Sequence, residues 1–294
     1  MNLTRRTFFK VTAIGATTLA GVAKAEAAPA PGEDAPGVLV DTTRCVGCRA
    51  CEAACAEANQ LTGPAMAGDE RVFDRTRTTD QRTLTVVNRY RVANAERFVK
   101  TQCMHCVDAA CASACPARGL EKTAAGPVTY NGSRCLGCRY CMLACPFGVP
   151  KFEYDDPTPY VRKCSFCAER QANGLPPACT EVCPSGALTF GKREALLEEA
   201  KLRIYQNPDR YVHHVYGEHE AGGTSWLYIS DVPLDQLGLP GGLDETPYPK
   251  LASTALAAVP MILTLWPPIL MGLHAMTKRT ADEPGASDAE GRHE

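Results

Sequence analysis

Sixteen cysteines constrain this chain more than any other feature, because they fall into four groups of four with short internal spacings. No cysteine lies outside the groups. In chain order the groups are Cys45-x2-Cys48-x2-Cys51-x3-Cys55, Cys103-x2-Cys106-x4-Cys111-x3-Cys115, Cys135-x2-Cys138-x2-Cys141-x3-Cys145 and Cys164-x2-Cys167-x11-Cys179-x3-Cys183.

Such spacings are typical of ligands to a four-iron cubane, in which each iron takes one thiolate. The third group is followed by Pro146 and matches the ferredoxin run C-x2-C-x2-C-x3-C-P at every position. Pro184 follows the fourth group, whereas Ala56 follows the first, a departure that removes no ligand. The sequence therefore predicts four [4Fe–4S] clusters.

The last cysteine of each group is expected to bind the cluster of a partner group, as in two-cluster ferredoxins. Groups two and three are separated by only 19 residues, and 119–131 is predicted to form a hairpin between them. We therefore pair group two with group three and group one with group four. The predicted ligand sets are set A (Cys45, Cys48, Cys51, Cys183), set B (Cys164, Cys167, Cys179, Cys55), set C (Cys103, Cys106, Cys111, Cys145) and set D (Cys135, Cys138, Cys141, Cys115).

This pairing predicts an α+β fold in which one ferredoxin-like two-cluster unit is nested inside another. The predicted segments are a signal peptide (1–25), an outer unit (38–100 and 150–191), an inner unit (101–149), an extension (192–249), a transmembrane helix (251–276) and a tail (277–294).

Disulfides and zinc are the alternative uses of these cysteines. Disulfides suit an exported chain with an even cysteine count, but closely spaced Cys-x-x-Cys loops make a poor disulfide framework. All-cysteine zinc sites also use Cys-x-x-Cys pairs, and the fourth group resembles one most. A zinc site does not need four cysteines within eleven residues, as groups one and three have.

Both ends of the chain indicate a membrane location. Thr4–Lys10 contains the twin arginines Arg5 and Arg6 ahead of an apolar run, which predicts export of a folded protein. The 27 residues between Lys250 and Lys278 carry no charge and suit one transmembrane helix, which three prolines are expected to kink or locally open. Lys278 and the following arginine place that end in the cytoplasm, so the cysteines are expected outside.

Strands are predicted at 83–92, 187–190 and after the Gly-Gly turn within 216–229, and an amphipathic helix at 192–206. The arginines before the first of these strands are predicted to form a solvated face or a partner contact: Arg71, Arg75, Arg77 and Arg82.

The histidines leave alternatives open. His105 is either a hydrogen-bond donor to a cluster sulfur or an unconstrained loop residue, and His274 lies where it could approach a partner's quinone or haem. Surface positions are the commoner role for His213, His214 and His219, with metal binding the alternative. A net charge of −2 argues against a nucleic-acid partner, and no nucleotide-binding motif or catalytic constellation is present.

With these motifs the chain resembles the HybA-type iron–sulfur subunits of periplasmic membrane-bound [NiFe] hydrogenases, within the dimethyl-sulfoxide-reductase-type ferredoxin superfamily. The resemblance covers nearly the whole chain. It depends on the arginine leader, on the terminal helix and on the segments Cys45–Cys48, Gln102–Asp108, Cys135–Pro150, Tyr216–Ile229 and Asp231–Pro233.

This resemblance implies a non-catalytic subunit that relays electrons through its clusters between two kinds of partner. These are the hydrogenase small and large subunits and a quinone-reactive integral membrane subunit of the NrfD/HybB kind. The alternative is the β-subunit of a formate dehydrogenase or another molybdopterin oxidoreductase, which shares the clusters and the terminal helix. A leader on this chain itself favours the hydrogenase.

Overall fold

The computed structural model describes residues 35–61 and 69–281. Its contacts divide this part of the chain into two units, one ending at Pro247 and one beginning at Tyr248. The predicted signal peptide and residues 282–294 of the predicted tail lie outside the described residues.

The elements of the described residues are mostly short. The strands are β1 (Pro36–Asp41), β2 (Thr85–Val92), β3 (Ala95–Gln102), β4 (Leu120–Lys122), β5 (Val128–Tyr130), β6 (Lys151–Phe152), β7 (Val161–Arg162), β8 (Leu188–Lys192) and β9 (Trp226–Ile229). The α-helices are α1 (Ala50–Ala58), α2 (Ala110–Ser113), α3 (Tyr140–Ala144), α4 (Ala168–Ala172), α5 (Ala178–Glu181), α6 (Arg193–Gln206) and α7 (Tyr248–Ala281).

A three-stranded sheet has β1 at its centre, antiparallel to β8 and parallel to β9. Val38 of β1 is level with Phe190 on one side and with Trp226 on the other. The strands predicted near 187–190 and after the Gly-Gly turn are confirmed as β8 and β9.

The two faces of this sheet are buried against different partners, because successive side chains of a strand point to opposite faces. Leu39, Leu227 and Ile229 pack against Leu196 and Ala200 of α6, which confirms the predicted amphipathic helix. Side chains of the other face belong to the core that contains cysteines of groups one and four: Val38, Val40, Leu188, Trp226 and Tyr228.

Strands β2 and β3 form a hairpin in which Val92 is level with Ala95. The two connecting residues, Ala93 and Asn94, both have positive φ (50° and 62°), as a type I′ turn requires. The predicted strand at 83–92 is thereby confirmed as β2.

One of the arginines before β2 was assigned to the wrong environment. Arg71, Arg75 and Arg82 are exposed, as a solvated face requires. The guanidinium of Arg77 instead binds the buried carboxylate of Glu52, with a shortest N–O distance of 2.5 Å. A buried carboxylate needs such a partner, and the sequence pattern did not reveal it.

The hairpin predicted within 119–131 is confirmed as the antiparallel pair of β4 and β5. Leu120 and Val128 from this hairpin pack with Ala109 and Val161. Cysteines of groups two and three join the same core.

The predicted Gly-Gly turn joins the extension to the loop of the second cysteine group. Gly222 and Gly223 have φ of 80° and 90°. The N–H of Val107 donates to the carbonyl of Gly223 (2.9 Å), and the N–H of Ser225 donates to that of Met104 (3.1 Å). These bonds hold β9 beside the cysteine loop.

The second unit contains the 34-residue helix α7. At 1.5 Å per residue it is about 51 Å long, more than a bilayer's hydrocarbon core requires. Its segment Ala258–Ala275 has a mean hydropathy of 1.4 and no buried residue, so it is long and apolar enough for a membrane span. Prolines 260, 267 and 268 lie inside the helix, which continues through them, and the expected kink or local opening stays a prediction. The hydroxyl of Thr264 donates to the carbonyl of Pro260 (2.9 Å).

Candidate metal centre

The loops of groups one and three begin with the same local structure, 90 positions apart. Asp41 accepts a hydrogen bond from the N–H of Thr43 (3.1 Å), and Asn131 accepts one from the N–H of Ser133 (3.0 Å). Each cap starts a short 3-10 turn that ends one residue before the first cysteine of the group. The two loops are therefore structural repeats.

Left-handed residues then turn each loop around its first cysteine. Gly47 and Arg49 have φ of 70° and 62°, and the equivalent Gly137 and Arg139 have φ of 68° and 60°. As a result, backbone N–H groups face sulfur: that of Gly137 lies 3.4 Å from Sγ of Cys135. Hydrogen bonds to ligand sulfurs are one means by which proteins tune iron–sulfur clusters.

In the fourth group, Phe166 and Cys167 also have positive φ (58° and 50°). The N–H of Phe166 lies 3.3 Å from Sγ of Cys164. This loop therefore also turns a backbone N–H towards the sulfur of its first cysteine, although its cysteine spacing is different.

Two pockets are each lined by one whole predicted ligand set. The first is lined by set B together with Lys100 and Trp226. The second is lined by set D together with Leu120 and Tyr130. In each pocket three cysteines belong to one group and the fourth, Cys55 or Cys115, is the last cysteine of another group.

The thiols predicted to form sets A and C influence one another's pKa values. Burial raises the pKa of Cys106 well above its usual value, and the nearby thiols of Cys103, Cys111 and Cys145 raise it further. Burial also raises the pKa of Cys45, and Cys183 and Cys48 add to the rise. These neighbours are those of the predicted sets, although their role as ligands stays a prediction.

Further thiol interactions connect one set to the next. Cys179 of set B raises the pKa of Cys51 of set A, after the larger effect of burial. In the same way, Cys103 of set C raises the pKa of Cys164 of set B. Cys141 of set D likewise raises the pKa of Cys111 of set C. We therefore predict that the four sets follow one another in the order A, B, C, D.

The buried thiols are better suited to binding iron than to reacting as free thiols. Burial raises the pKa of both Cys51 and Cys55 to about 12, so these thiols are protonated at neutral pH. A bound metal displaces such protons and takes the thiolate as its ligand.

The cysteines are not joined in disulfides, because all sixteen lie in the described residues with free thiols. Within 35–61 and 69–281 there is no group of three or more histidine, cysteine or acidic side chains close enough to share one metal ion. A cubane does not need its thiolates to meet at one ion, because each of them binds a different iron. The donor chemistry of the four cysteines that line each pocket fits such a cluster.

Three buried lysines near the cysteines were missed by sequence reasoning: Lys100, Lys122 and Lys163. Burial lowers the pKa of Lys122 to about 8, although the charges of Cys106 and Cys103 oppose the shift. Lys163 donates to the carbonyl of Val128 (2.5 Å). No local pattern distinguishes these lysines from surface ones.

His105 is fully buried, so its interpretation as an unconstrained loop residue is wrong. Its Nδ1 accepts a hydrogen bond from the N–H of Val128 (3.0 Å), and its ring stacks on Phe166 at a centroid distance of 4.8 Å. Burial lowers its pKa well below the usual value, with Lys163 contributing. The ring is therefore neutral, and its Nε2 makes no hydrogen bond of normal geometry within the described residues.

His213, His214, His219 and His274 are exposed. His214 lies 2.6 Å from a carboxylate oxygen of Glu220, and His219 lies 3.4 Å from one of Glu218. His213 and His274 are also at the surface of the described chain. Surface roles therefore account for His213, His214 and His219, whereas the approach of His274 to a partner's quinone or haem stays a prediction.

Comparison with known proteins connects this arrangement to electron transfer. The model of the 4Fe-4S dicluster domain family matches residues 94–193. A protein of Nitratidesulfovibrio vulgaris is 50% identical over 266 residues, which cover 88% of this chain and 72% of that protein. The Hydrogenase-2 operon protein HybA of Escherichia coli O157:H7 is 38% identical over 277 residues, which cover 81% of this chain and 84% of the relative.

The formate dehydrogenase iron–sulfur subunit of Haemophilus influenzae is 31% identical over 245 residues, which cover 81% of this chain and 74% of the relative. The mixed fold, the cysteine-lined pockets and the dicluster domain together define an iron–sulfur electron-transfer subunit. Within that class, the chain belongs to the family of HybA-type iron–sulfur subunits.

Proposed function

We propose that sets A, B, C and D each hold one [4Fe–4S] cluster and that the chain relays electrons through all four. When bound, such a cluster accepts and donates one electron at a time. The observation that carries the proposal is the composition of the two pockets, in which three cysteines of one group meet the last cysteine of its partner group. That exchange is expected for two nested ferredoxin-like units.

The two ends of the series A to D are the expected exits for electrons. Cys48 of set A and Cys138 of set D are both exposed. Beside set D, Leu136 and Leu143 are 72% and 83% exposed, and Val46 beside set A is 61% exposed. Large exposed apolar side chains grouped around a site are typical of partner contacts. We infer that one redox partner docks at each end.

We propose that the cysteine-containing unit lies on the periplasmic side of the cytoplasmic membrane. The support is the twin-arginine leader at Arg5 and Arg6, the apolar segment of α7 and the positive charges that follow it. In this topology the chain is exported by the twin-arginine route, and α7 anchors it in the lipid bilayer.

The proposed partners are the small and large subunits of a periplasmic [NiFe] hydrogenase and an integral membrane subunit that reacts with quinone. The relative named for the Hydrogenase-2 operon supports this choice. A molybdopterin enzyme such as formate dehydrogenase is the second candidate, because several relatives are named as iron–sulfur subunits of formate dehydrogenase.

Purification of the affinity-tagged full-length chain from native membranes tests the proposal. We expect hydrogenase subunits and a quinone-reactive membrane protein to co-purify from wild-type membranes. The matched variant, Arg5→Lys with Arg6→Lys, should remain on the cytoplasmic side and yield no such complex. Recovery of a molybdopterin subunit would select the second candidate, and normal export of the double variant would refute the twin-arginine assignment.

A further inference from the structure

Lys100 lies near the end of β3 and is 2% exposed. Its Nζ donates a hydrogen bond to Oε1 of Gln102 (2.8 Å) and lies 4.4 Å from the centroid of the Trp226 ring. The side chain also lines the pocket formed by the four cysteines of set B. A buried ammonium group therefore faces the space predicted to hold a cluster.

No carboxylate forms an ion pair with Lys100 within the described residues. The nearby buried carboxylate of Glu52 is already bound by Arg49 (3.1 Å) and Arg77 (2.5 Å). An isolated buried ammonium is strongly unfavourable unless negative charge lies close to it. The neighbouring cysteines can supply that charge when they bind iron as thiolates.

Interactions of Lys100 reach the cysteines of two neighbouring sets. Its positive charge lowers the pKa of Cys51 in set A and of Cys55 in set B, second only to the opposing effect of burial. Burial alone would lower the pKa of Lys100, but Cys179, Cys51 and Cys164, when charged as thiolates, raise it above its usual value. Next to cysteines that bind iron as thiolates, the lysine is therefore protonated at neutral pH, and it stands at the junction of sets A and B.

Polar groups around the lysine fix its position. Gln102 donates through Nε2 to the hydroxyl of Tyr228 (2.8 Å). That hydroxyl in turn donates to the carbonyl of Lys100 (3.0 Å). The side chain of Tyr228 is fully buried in β9, so the three residues connect β3 to the sheet.

We propose that Lys100 is a positioning residue for charge at this junction and raises the reduction potential of the cluster held by set B, with a smaller effect on that of set A. This inference rests on the proposed function. Reduction adds one electron and increases the negative charge next to Lys100. A fixed ammonium therefore stabilises the reduced state more than the oxidised one. No proton moves, because the lysine is protonated in both states.

Sets C and D provide an internal comparison. In set C, Lys163 lowers the pKa of Cys111, and Cys106 and Cys103 raise the pKa of Lys122. Lys100 does not contribute to these shifts. Removal of the Lys100 charge should therefore shift at most two of four redox couples. A general change in protein packing would not be restricted in this way.

The test compares Lys100→Met and Lys100→Gln with wild type in the full-length, cluster-loaded protein purified without oxygen. Redox titration followed by electron paramagnetic resonance measures each couple. In both neutral variants we expect at least a tenfold fall in the ratio of reduced to oxidised cluster at fixed potential, which is about 59 mV for one electron. Lys100→Arg, which keeps the charge, should shift the ratio less.

Lys201→Met is the matched control, because Lys201 pairs with Glu218 at the surface, with its side chain 55% exposed. This variant should leave all four couples unchanged. Unchanged couples in both neutral variants with full iron content, or loss of the set B cluster in both, would overturn the inference. Wild-type protein with well under about 16 irons per chain would instead refute the proposed function.

Discussion

At the scale of single residues, Glu52 organises the charges behind the first cysteine group. Its carboxylate accepts hydrogen bonds from Nη2 of Arg49 (3.1 Å), from Nη2 of Arg77 (2.5 Å) and from the backbone N–H of Val87 (2.5 Å). Glu52 belongs to α1 and Val87 to β2. The carboxylate therefore attaches the cysteine helix to the hairpin.

Replacement of Glu52 by Ala should destabilise the protein by about 3–5 kcal/mol, because it leaves two buried guanidinium groups without their carboxylate. Chemical unfolding of the cluster-loaded protein, followed by circular dichroism, measures this loss. Glu96→Gln is the control, since Glu96 pairs with Arg91 at the surface (3.1 Å) and should change stability by less than about 1 kcal/mol. Equal effects of the two substitutions would show that the buried network stabilises the protein no more than the surface pair does.

The cysteines show which residues of the site could be predicted. Their spacing within each group follows from cubane chemistry, so the sequence alone predicts all sixteen as ligands. Glu52, Lys100 and His105 have no such spacing rule. Their roles arise from burial beside residues distant in sequence, which is a property of the fold.

At the scale of elements, the connection into β9 depends on a glycine with no room for a side chain. Gly217 has φ of +95°, and an added Cβ would lie 2.3 Å from the carbonyl oxygen of Trp226 and 2.5 Å from Oγ1 of Thr224. Its own N–H donates to Glu220 (2.7 Å). Any larger residue must therefore displace β9 or the loop before it.

Gly217→Ala should lower stability by more than Gly174→Ala. Both glycines have positive φ, but no atom lies within 4 Å of a Cβ added at Gly174. Positive φ alone costs an alanine about 1–2 kcal/mol, and overpacking at Gly217 should add about 1–3 kcal/mol. Thermal unfolding of the two variants measures the difference. Equal midpoints would mean that β9 yields to the added methyl group without cost.

Element prediction succeeded where local pattern and burial agreed. The helix at 192–206 has apolar residues at helical spacing, and the hairpin within 119–131 has a glycine turn between apolar residues. Strand β1 was not predicted, because it is buried on both faces and lacks the alternation that indicates a strand. Strand β3 carries Glu96, Arg97 and Lys100, charges that obscure its apolar positions.

At the scale of the whole molecule, the chain returns to its first cysteine group after more than a hundred residues. Cys55 meets cysteines of the fourth group in one pocket, and β1 pairs with β8 beside that pocket. Cys115 meets the third group in the other pocket. Two nested ferredoxin-like units would require this long-range closure.

The most direct test of the central claim is to locate iron in the full-length protein purified without oxygen, by anomalous diffraction at the iron edge. The account predicts four four-iron centres in the order A, B, C, D. Each centre should be bound by three cysteines of one group and the last cysteine of its partner group. Fewer than four centres, or a centre bound by four cysteines of a single group, would contradict it.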